Sequence, residues 1–178
     1  MQTTDNKDQA IVIYHAGMDD VVALQSVGRA TFVESFSSDN TPANMEKYLE
    51  VGFSIEKLTH ELKNKNSQFY FAMDGEKVIG YLKLNMCDAQ TELRDHNALE
   101  IERIYVLKNY QGRKTGRLLC DKAIEIGKIK GVDYIWLGVW EENKKAINFY
   151  TSYGFKAFDK HIFMLGDDSQ TDIMMKLE

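Results

Sequence analysis

The sequence predicts an α+β fold, a mixed and mostly antiparallel central sheet flanked by helices in a single domain, and three observations carry that expectation. Two aromatic and aliphatic runs, residues 68–73 and 77–86, flank Asp74-Gly75, the dipeptide of a tight hairpin, so two neighbouring strands run antiparallel. An apolar run rich in β-branched residues, 99–106, meets a short polar loop with two glycines and then a long amphipathic pattern. A helix of that length is the usual crossover, so the next apolar run, 133–139, is expected to pair parallel to residues 100–106. Residues 155–164 and 171–177 alternate loosely and read as a closing hairpin.

The remaining elements follow in order. Residues 11–15 are a short alternating first strand. Asp19 or Asp20 then caps a helix that runs to about Phe36, with Val22, Leu24, Val27 and Phe32 as its apolar positions. Thr41-Pro42 starts a second helix, since proline is tolerated where no N–H is needed, and its turns carry Met45, Tyr48 and Leu49. Ser54 caps a third helix through Leu62. Residues 87–97 are polar and irregular, a loop that either lines a pocket or merely connects. The crossover helix runs from about Thr115 to Lys130, turns Leu119, Ala123 and Ile126 to one face and stops at Gly131. A last helix has Ala146, Phe149 and Tyr150 as inward positions and ends at Gly154.

Composition bounds the partners. A chain of 178 residues buries a substantial core in one domain, and 44% hydrophobic with 28% charged residues is ordinary for a globular protein. Only residues 1–9 are polar enough to be expected flexible. No apolar run approaches the ~20 residues of a membrane span, and the N-terminus lacks the basic and apolar parts of a signal peptide. The expected compartment is cytoplasmic, with no membrane partner. Cys87 and Cys120 have no metal-ligand spacing to each other or to the four histidines, so reduced thiols and no metal are expected. A net charge of -5 speaks against a nucleic-acid partner, which demands a basic patch. It tolerates a cationic small substrate, although charge taken alone reads first as a surface that serves solubility.

The rest of the chain is organised around residues 99–119. A strand that turns through a loop into a helix aims unpaired backbone N–H groups and the positive end of a helix dipole at one spot, which suits a phosphate. An ordinary strand-to-helix turn has the same ingredients. Parallel strands that diverge beside such a loop leave a crevice, which a ligand with phosphates and a long thin tail could thread.

Two motifs sharpen this. Gln111 to Gly116 reads Q-G-R-K-T-G, and Asn143 to Phe155 reads N-x-x-A-x-x-F-Y-x-x-x-G-F. With the order of elements from Ile11 to the end, they resemble the GCN5-related N-acetyltransferase (GNAT) superfamily, whose members move an acetyl group from acetyl-CoA to an amine. The resemblance implies the GNAT fold, acetyl-CoA as cosubstrate, and a pantetheine arm paired with the backbone of Ile104, Tyr105 and Val106. It implies a pyrophosphate among Gln111, Gly112, Arg113, Lys114, Thr115, Gly116 and Arg117, and Asn143 holding the arm from the far side. Tyr150, with a phenol pKa near 10, is the implied proton donor to the departing thiolate. A primary amine with a pKa of about 10.4 is almost wholly protonated at neutral pH, so a base or a water relay to one helps. Glu102 is the family-like candidate and Glu100 the alternative. Strand alternation predicts Glu100, Glu102, Ile104 and Val106 on one side, with Ile101, Arg103 and Tyr105 on the other.

One position departs from the pattern: the family's first loop glycine is Lys114 here, and a glycine stands instead at Gly112. A helical backbone would accommodate the lysine, whereas a positive φ would strain it by about 1 to 3 kcal/mol. More narrowly, E-I-E-R-I-Y-V, D-A-Q, I-W-L-G-V-W-E and A-I-N-F-Y resemble bacterial spermidine/spermine acetyltransferases of the PaiA type. That implies a small-molecule amine acceptor, most simply a polyamine, drawn to carboxylates near the mouth: Glu34, Asp88, Glu92 and Glu100. A homodimer is common in the superfamily. Another small amine, a protein amine, or a catalytically weak CoA-binding regulatory protein are the alternatives, and Lys114 favours the last.

Overall fold

A computed structural model of the chain describes residues 10–165 and 168–178; residues 1–9, expected to be flexible, lie outside the described residues. The strands are β1 (Val12–Ala16), β2 (Ser67–Asp74), β3 (Lys77–Met86), β4 (Ala98–Val106), β5 (Tyr134–Trp140), β6 (Lys156–Leu165) and β7 (Asp168–Leu177). They form a seven-stranded sheet in the order β1-β2-β3-β4-β5-β7-β6. Neighbours are antiparallel except β4 and β5, as the crossover predicted.

Among the described residues, five α-helices cover the sheet: α1 (Val21–Phe36), α2 (Pro42–Gly52), α3 (Ile55–Lys63), α4 (Thr115–Lys130) and α5 (Lys144–Ser152). Leu24, Val27, Phe32, Met45, Phe53 and Leu58 of α1 to α3 and their connection bury one face of the sheet against Phe69, Phe71 and Tyr81. Leu119, Cys120 and Ala123 of α4 bury the other face against Leu82, Leu84, Leu99 and Ile101. The helix signals act largely as read. Thr41 and Ser54 accept the N–H groups of Asn44 and Lys57 at 3.3 and 3.2 Å, and Gly131 ends α4 with φ +66.

Three local readings change. Val22 is 68% exposed, because it stands two residues before Leu24 and therefore on the opposite flank of α1. The Asp20 carboxylate accepts the Gly17 N–H at 2.7 Å and so secures the turn before α1 instead of capping the helix by its side chain. In the hairpin, Asp74 pairs with Lys77, so the two-residue turn is Gly75-Glu76, with the glycine at φ +60.

The change that matters most lies in β4. Lys83 of β3 pairs with Arg103 and Leu84 with Ile101, so Glu102 is an extra residue, a β-bulge. A bulge reverses the alternation beyond it. Ile104 and Val106 therefore pack on the α4 face with Ile101, while Tyr105 packs on the α1–α3 face, as does Arg103, whose guanidinium lies 5.4 Å from the Phe53 ring. The expected grouping of Ile104 and Val106 with the two glutamates is thus overturned. The parallel pairing is also shorter than predicted: it joins Ala98–Ile101 to residues 134–137, and the strands then separate.

Candidate active site

Where β4 and β5 separate, a cavity of about 1170 Å³ opens. Ile104, Tyr105 and Val106 line it along the edge of β4 that β5 has left. At its other wall lies the start of α4. The first amide of this helix to find a backbone acceptor four residues back is Leu118, bonded to the Lys114 carbonyl at 3.0 Å. The N–H groups of Thr115, Gly116 and Arg117 have no such acceptor within the helix, and these residues line the cavity with Gly112 and Lys114. Three convergent amides at a helix N-terminus are a ready anion site.

The loop reaches this position through two residues with positive φ, Gly112 at +81 and Lys114 at +63. Lys114 does not take the helical backbone that would have accommodated it; it carries the left-handed conformation and the strain that goes with it. Gln111 ties the loop down, donating to the Val106 carbonyl at 3.2 Å and accepting from Lys145 at 3.1 Å. Arg113 is not among the lining residues; its guanidinium lies 5.2 Å from the Tyr110 ring centroid. Asn143 lines the cavity from α5, its Oδ1 capping that helix through the Ala146 N–H at 3.1 Å. Its NH₂ group has no hydrogen-bond partner among the described residues.

Tyr150 is 6% exposed and lines the same cavity, packed edge-on to Phe149 and Phe155. Among the described residues its hydroxyl has no hydrogen-bond partner. Burial, and then the neighbouring Cys120, push the phenol up, so it stays protonated throughout the neutral range. Cys120 is itself pushed up to about 12 by burial and by Asp121, a core thiol and no nucleophile.

Glu100 and Glu102 line the cavity on the side of α1 to α3, and their surroundings differ. Glu102 is ion-paired with Lys83 at 2.5 Å and with Arg103 at 3.1 Å, and both cations also hold Glu61 of α3, at 3.1 and 3.4 Å. Burial pushes the Glu102 carboxyl up, but Arg103 and Lys83 outweigh it and hold it below the ordinary value. Glu100 is 2% exposed and bonded only to neutral donors: Asn85 Nδ2 at 3.0 Å, the Thr91 N–H at 3.0 Å and the Thr91 hydroxyl. Burial therefore lifts its carboxyl above the ordinary value; the bonds from Thr91 and Asn85 offset this only in part.

Thr91 is held by an anchored loop. Gln90 accepts the Trp136 indole N–H at 2.6 Å and donates to the Asp95 carbonyl at 2.6 Å, and the Tyr134 hydroxyl donates to Asp95 at 2.8 Å. Of the two readings left open for residues 87–97, lining a pocket is the one realised, through Thr91 and Glu92. Glu92 meets His161 of β6 at 2.9 Å, and Asp172 of β7 also lines the cavity. Glu34 lines it too, with its carboxylate on the Lys108 N–H at 2.7 Å. Asp88 is exposed and is not among the lining residues. Sequence reading missed Thr91, His161 and Asp172 as site residues. Their only signal is position: Thr91 follows the D-A-Q stretch, and the other two face each other across the closing hairpin.

A model of the acetyltransferase (GNAT) family matches residues 30–155. An uncharacterized N-acetyltransferase encoded in the pepI 3′ region of Lactobacillus delbrueckii subsp. lactis is 44% identical, over 93% of this chain and 96% of that protein. A spermidine N(1)-acetyltransferase from Thermoplasma acidophilum is 26% identical, over 84% of this chain and 91% of that protein. The crystal structure of the PaiA N-acetyltransferase from the same organism, in complex with coenzyme A, superposes with a TM-score of 0.77 at 26% identity, covering 94% of this chain and 98% of that one. The crevice between diverging parallel strands, the helix N-terminus beside it and these likenesses agree: the chain belongs to the GNAT family and is an acetyl-CoA-dependent N-acetyltransferase.

Proposed function

We propose that the acceptor is a primary amine that arrives as a cation, a polyamine such as spermidine, and that Glu100 binds it and takes its proton. The observation that carries this reading is the contrast between the two glutamates. Glu102 is already neutralised by Lys83 and Arg103. Glu100 is buried with no cation among the described residues paired to it. A buried carboxylate without a counter-charge is costly, and an ammonium ligand removes that cost. A carboxylate has about four lone-pair positions. The bonds from Thr91 and Asn85 occupy both on Oε2 and one on Oε1, which leaves one on Oε1 for the ligand.

The reaction then runs as a direct transfer in a ternary complex. The three free amides of α4 and the Asn143 NH₂ hold the cosubstrate, whose thioester supplies the acetyl group. Glu100 accepts a proton from the bound ammonium, directly or through water. The freed nitrogen lone pair forms the new C–N bond as the C–S bond breaks, and Tyr150 donates its phenolic proton to the leaving thiolate; the nitrogen then gives up its second proton, which restores the Tyr150 phenol through water, and Glu100 releases its own proton to solvent. The likeness to the Thermoplasma spermidine acetyltransferase supports the choice of polyamine.

The test is CoA release by the purified protein with acetyl-CoA and spermidine, spermine, putrescine, lysine, an aminoglycoside and short peptides. Selective turnover of spermidine or spermine is the expected result. Turnover of peptides alone would replace the polyamine by a protein amine. Acetyl-CoA binding with no turnover of any amine would leave a CoA-binding protein, the outcome that the strained Lys114 favours.

A further inference from the structure

Asp172 is a carboxylate of the same cavity that no described residue hydrogen-bonds. It stands on β7 opposite Trp140, and its side chain lies over Gly138 of β5: a Cβ on that glycine would sit 3.3 Å from the Asp172 carboxylate. Burial holds its carboxyl above the ordinary value. Among the described cation-forming groups, His161 is the one whose charge acts on it, and the His161 Nε2 is already bonded to Glu92 at 2.9 Å.

Strand geometry relates Asp172 to Glu100. Glu100 is paired with Trp136 across the parallel junction. Trp136, Gly138 and Trp140 share one face of β5, and all three line the cavity, as does Met174, the β7 partner of Gly138. The floor between the two carboxylates is thus apolar, with an exposed glycine at its centre. Four residues along β5, from Trp136 to Trp140, and two strand spacings, from β4 across β5 to β7, separate the two Cα positions by on the order of 16 Å, from about 3.3 Å per residue and about 4.8 Å between strands. With the Asp172 side chain leaning back over Gly138, that is roughly the reach of a linear chain of about eight to twelve atoms with a nitrogen at each end. Tyr150, itself nine-tenths buried, turns an unpartnered hydroxyl into the same cavity, where a bound molecule would complete it.

We infer that Asp172 is the specificity-determining residue of the acceptor site: it binds the remote ammonium of a linear diamine or polyamine whose reacting nitrogen lies at Glu100, with the methylene chain over Trp136, Gly138 and Trp140. The inference rests on the reading of the acceptor as a cationic amine. It goes further in requiring two cationic groups at a set spacing.

The experiment compares kcat/KM for α,ω-diamines of increasing chain length with the monoamines of equal length, in the wild-type protein and in Asp172→Asn. In the wild type, diamines of about eight to twelve carbons exceed their monoamines by roughly 10-fold or more, the size of one hydrogen bond to a charged group. Asp172→Asn lowers that diamine-to-monoamine ratio by a similar factor, through KM, with kcat for the diamine changing only a few-fold. A ratio that is the same in both proteins overturns the role of Asp172 while leaving the amine reading in place. A wild type that turns over only peptides or neutral-tailed amines overturns both. Should Asp172→Asn fail to fold, the wild-type chain-length series decides alone: a second nitrogen that confers no advantage at any length refutes the inference.

Discussion

Replacing Thr91 by valine tests how Glu100 is set for its task. Valine keeps the shape and the backbone N–H that bonds Glu100 at 3.0 Å, and it leaves Asn85 in place, so one hydroxyl donor is lost. A hydrogen bond to a charged group is worth about 1.5–3 kcal/mol, and a shift of one pH unit corresponds to about 1.36 kcal/mol. The lost bond favoured the ionised form, so the carboxyl, already above its ordinary value through burial, rises by roughly 1–2 further units. The assay is kcat/KM for the amine between pH 5 and 9, followed by CoA release. The acid limb of the profile moves to higher pH by that amount; the amine's own titration is common to both proteins and cancels in the comparison. A linked effect appears in stability. A carboxyl whose folded pKa lies above its unfolded one contributes stability at low pH that is lost as pH rises through the folded value. Thr91→Val widens that gap, so its deficit in Tm is larger at pH 8 than at pH 5. An acid limb that stays put, with an equal loss of Tm at both pH values, would show that Thr91 only anchors its loop.

Three further outcomes follow from the same structure. Tyr150→Phe lowers turnover by about 10² to 10⁴, the range of general acid catalysis, while calorimetric binding of acetyl-CoA is largely retained; unchanged turnover removes Tyr150 from the mechanism. Lys114→Gly relieves a left-handed backbone worth about 1–2 kcal/mol and gives back about 0.5–1 kcal/mol of chain entropy, so Tm rises by roughly 1–4 °C, and a fall in Tm contradicts the strain at φ +63. Lys83→Met leaves Glu61 and Glu102 short of a buried cation and costs about 3–5 kcal/mol near neutral pH. Because Glu102 is held below its ordinary value, its stabilising contribution is present above that value and is lost as pH falls through the folded pKa. The deficit of Lys83→Met in thermal melts therefore narrows toward acid pH.

Most of the fold was legible because its signals are local. Pro42 and Ser54 open helices, Gly75 turns a hairpin, Gly131 stops α4, and a helix-length crossover fixes the one parallel pair. The bulge at Glu102 was not, since nothing in E-I-E-R-I-Y-V distinguishes a bulged strand from a regular one; the extra residue appears only in the register with β3. That single residue decides which side chains of β4 meet. It brings Arg103 beside Glu102 and so separates the two glutamates into a neutralised one and an uncompensated one. Gln111, Gly112, Lys114, Gly116, Asn143 and Tyr150 lay in contiguous motifs and line one cavity. Thr91, His161 and Asp172 come from separate loops and strands, and no spacing along the chain relates them. Lys114 was visible as a departure, but its backbone angle depends on how the loop climbs into α4.

The uncompensated carboxylate, Glu100, and not the ion-paired Glu102, is proposed to serve the acceptor. The most direct measurement is kcat/KM for spermidine in Glu100→Gln and Glu102→Gln, each with its Tm and acetyl-CoA affinity measured alongside. The expected result is a fall of about 10² or more for Glu100→Gln with acetyl-CoA binding intact, and for Glu102→Gln mainly a loss of stability. A Glu100→Gln protein that acetylates spermidine at the wild-type rate, beside an inactive but folded Glu102→Gln, would contradict it.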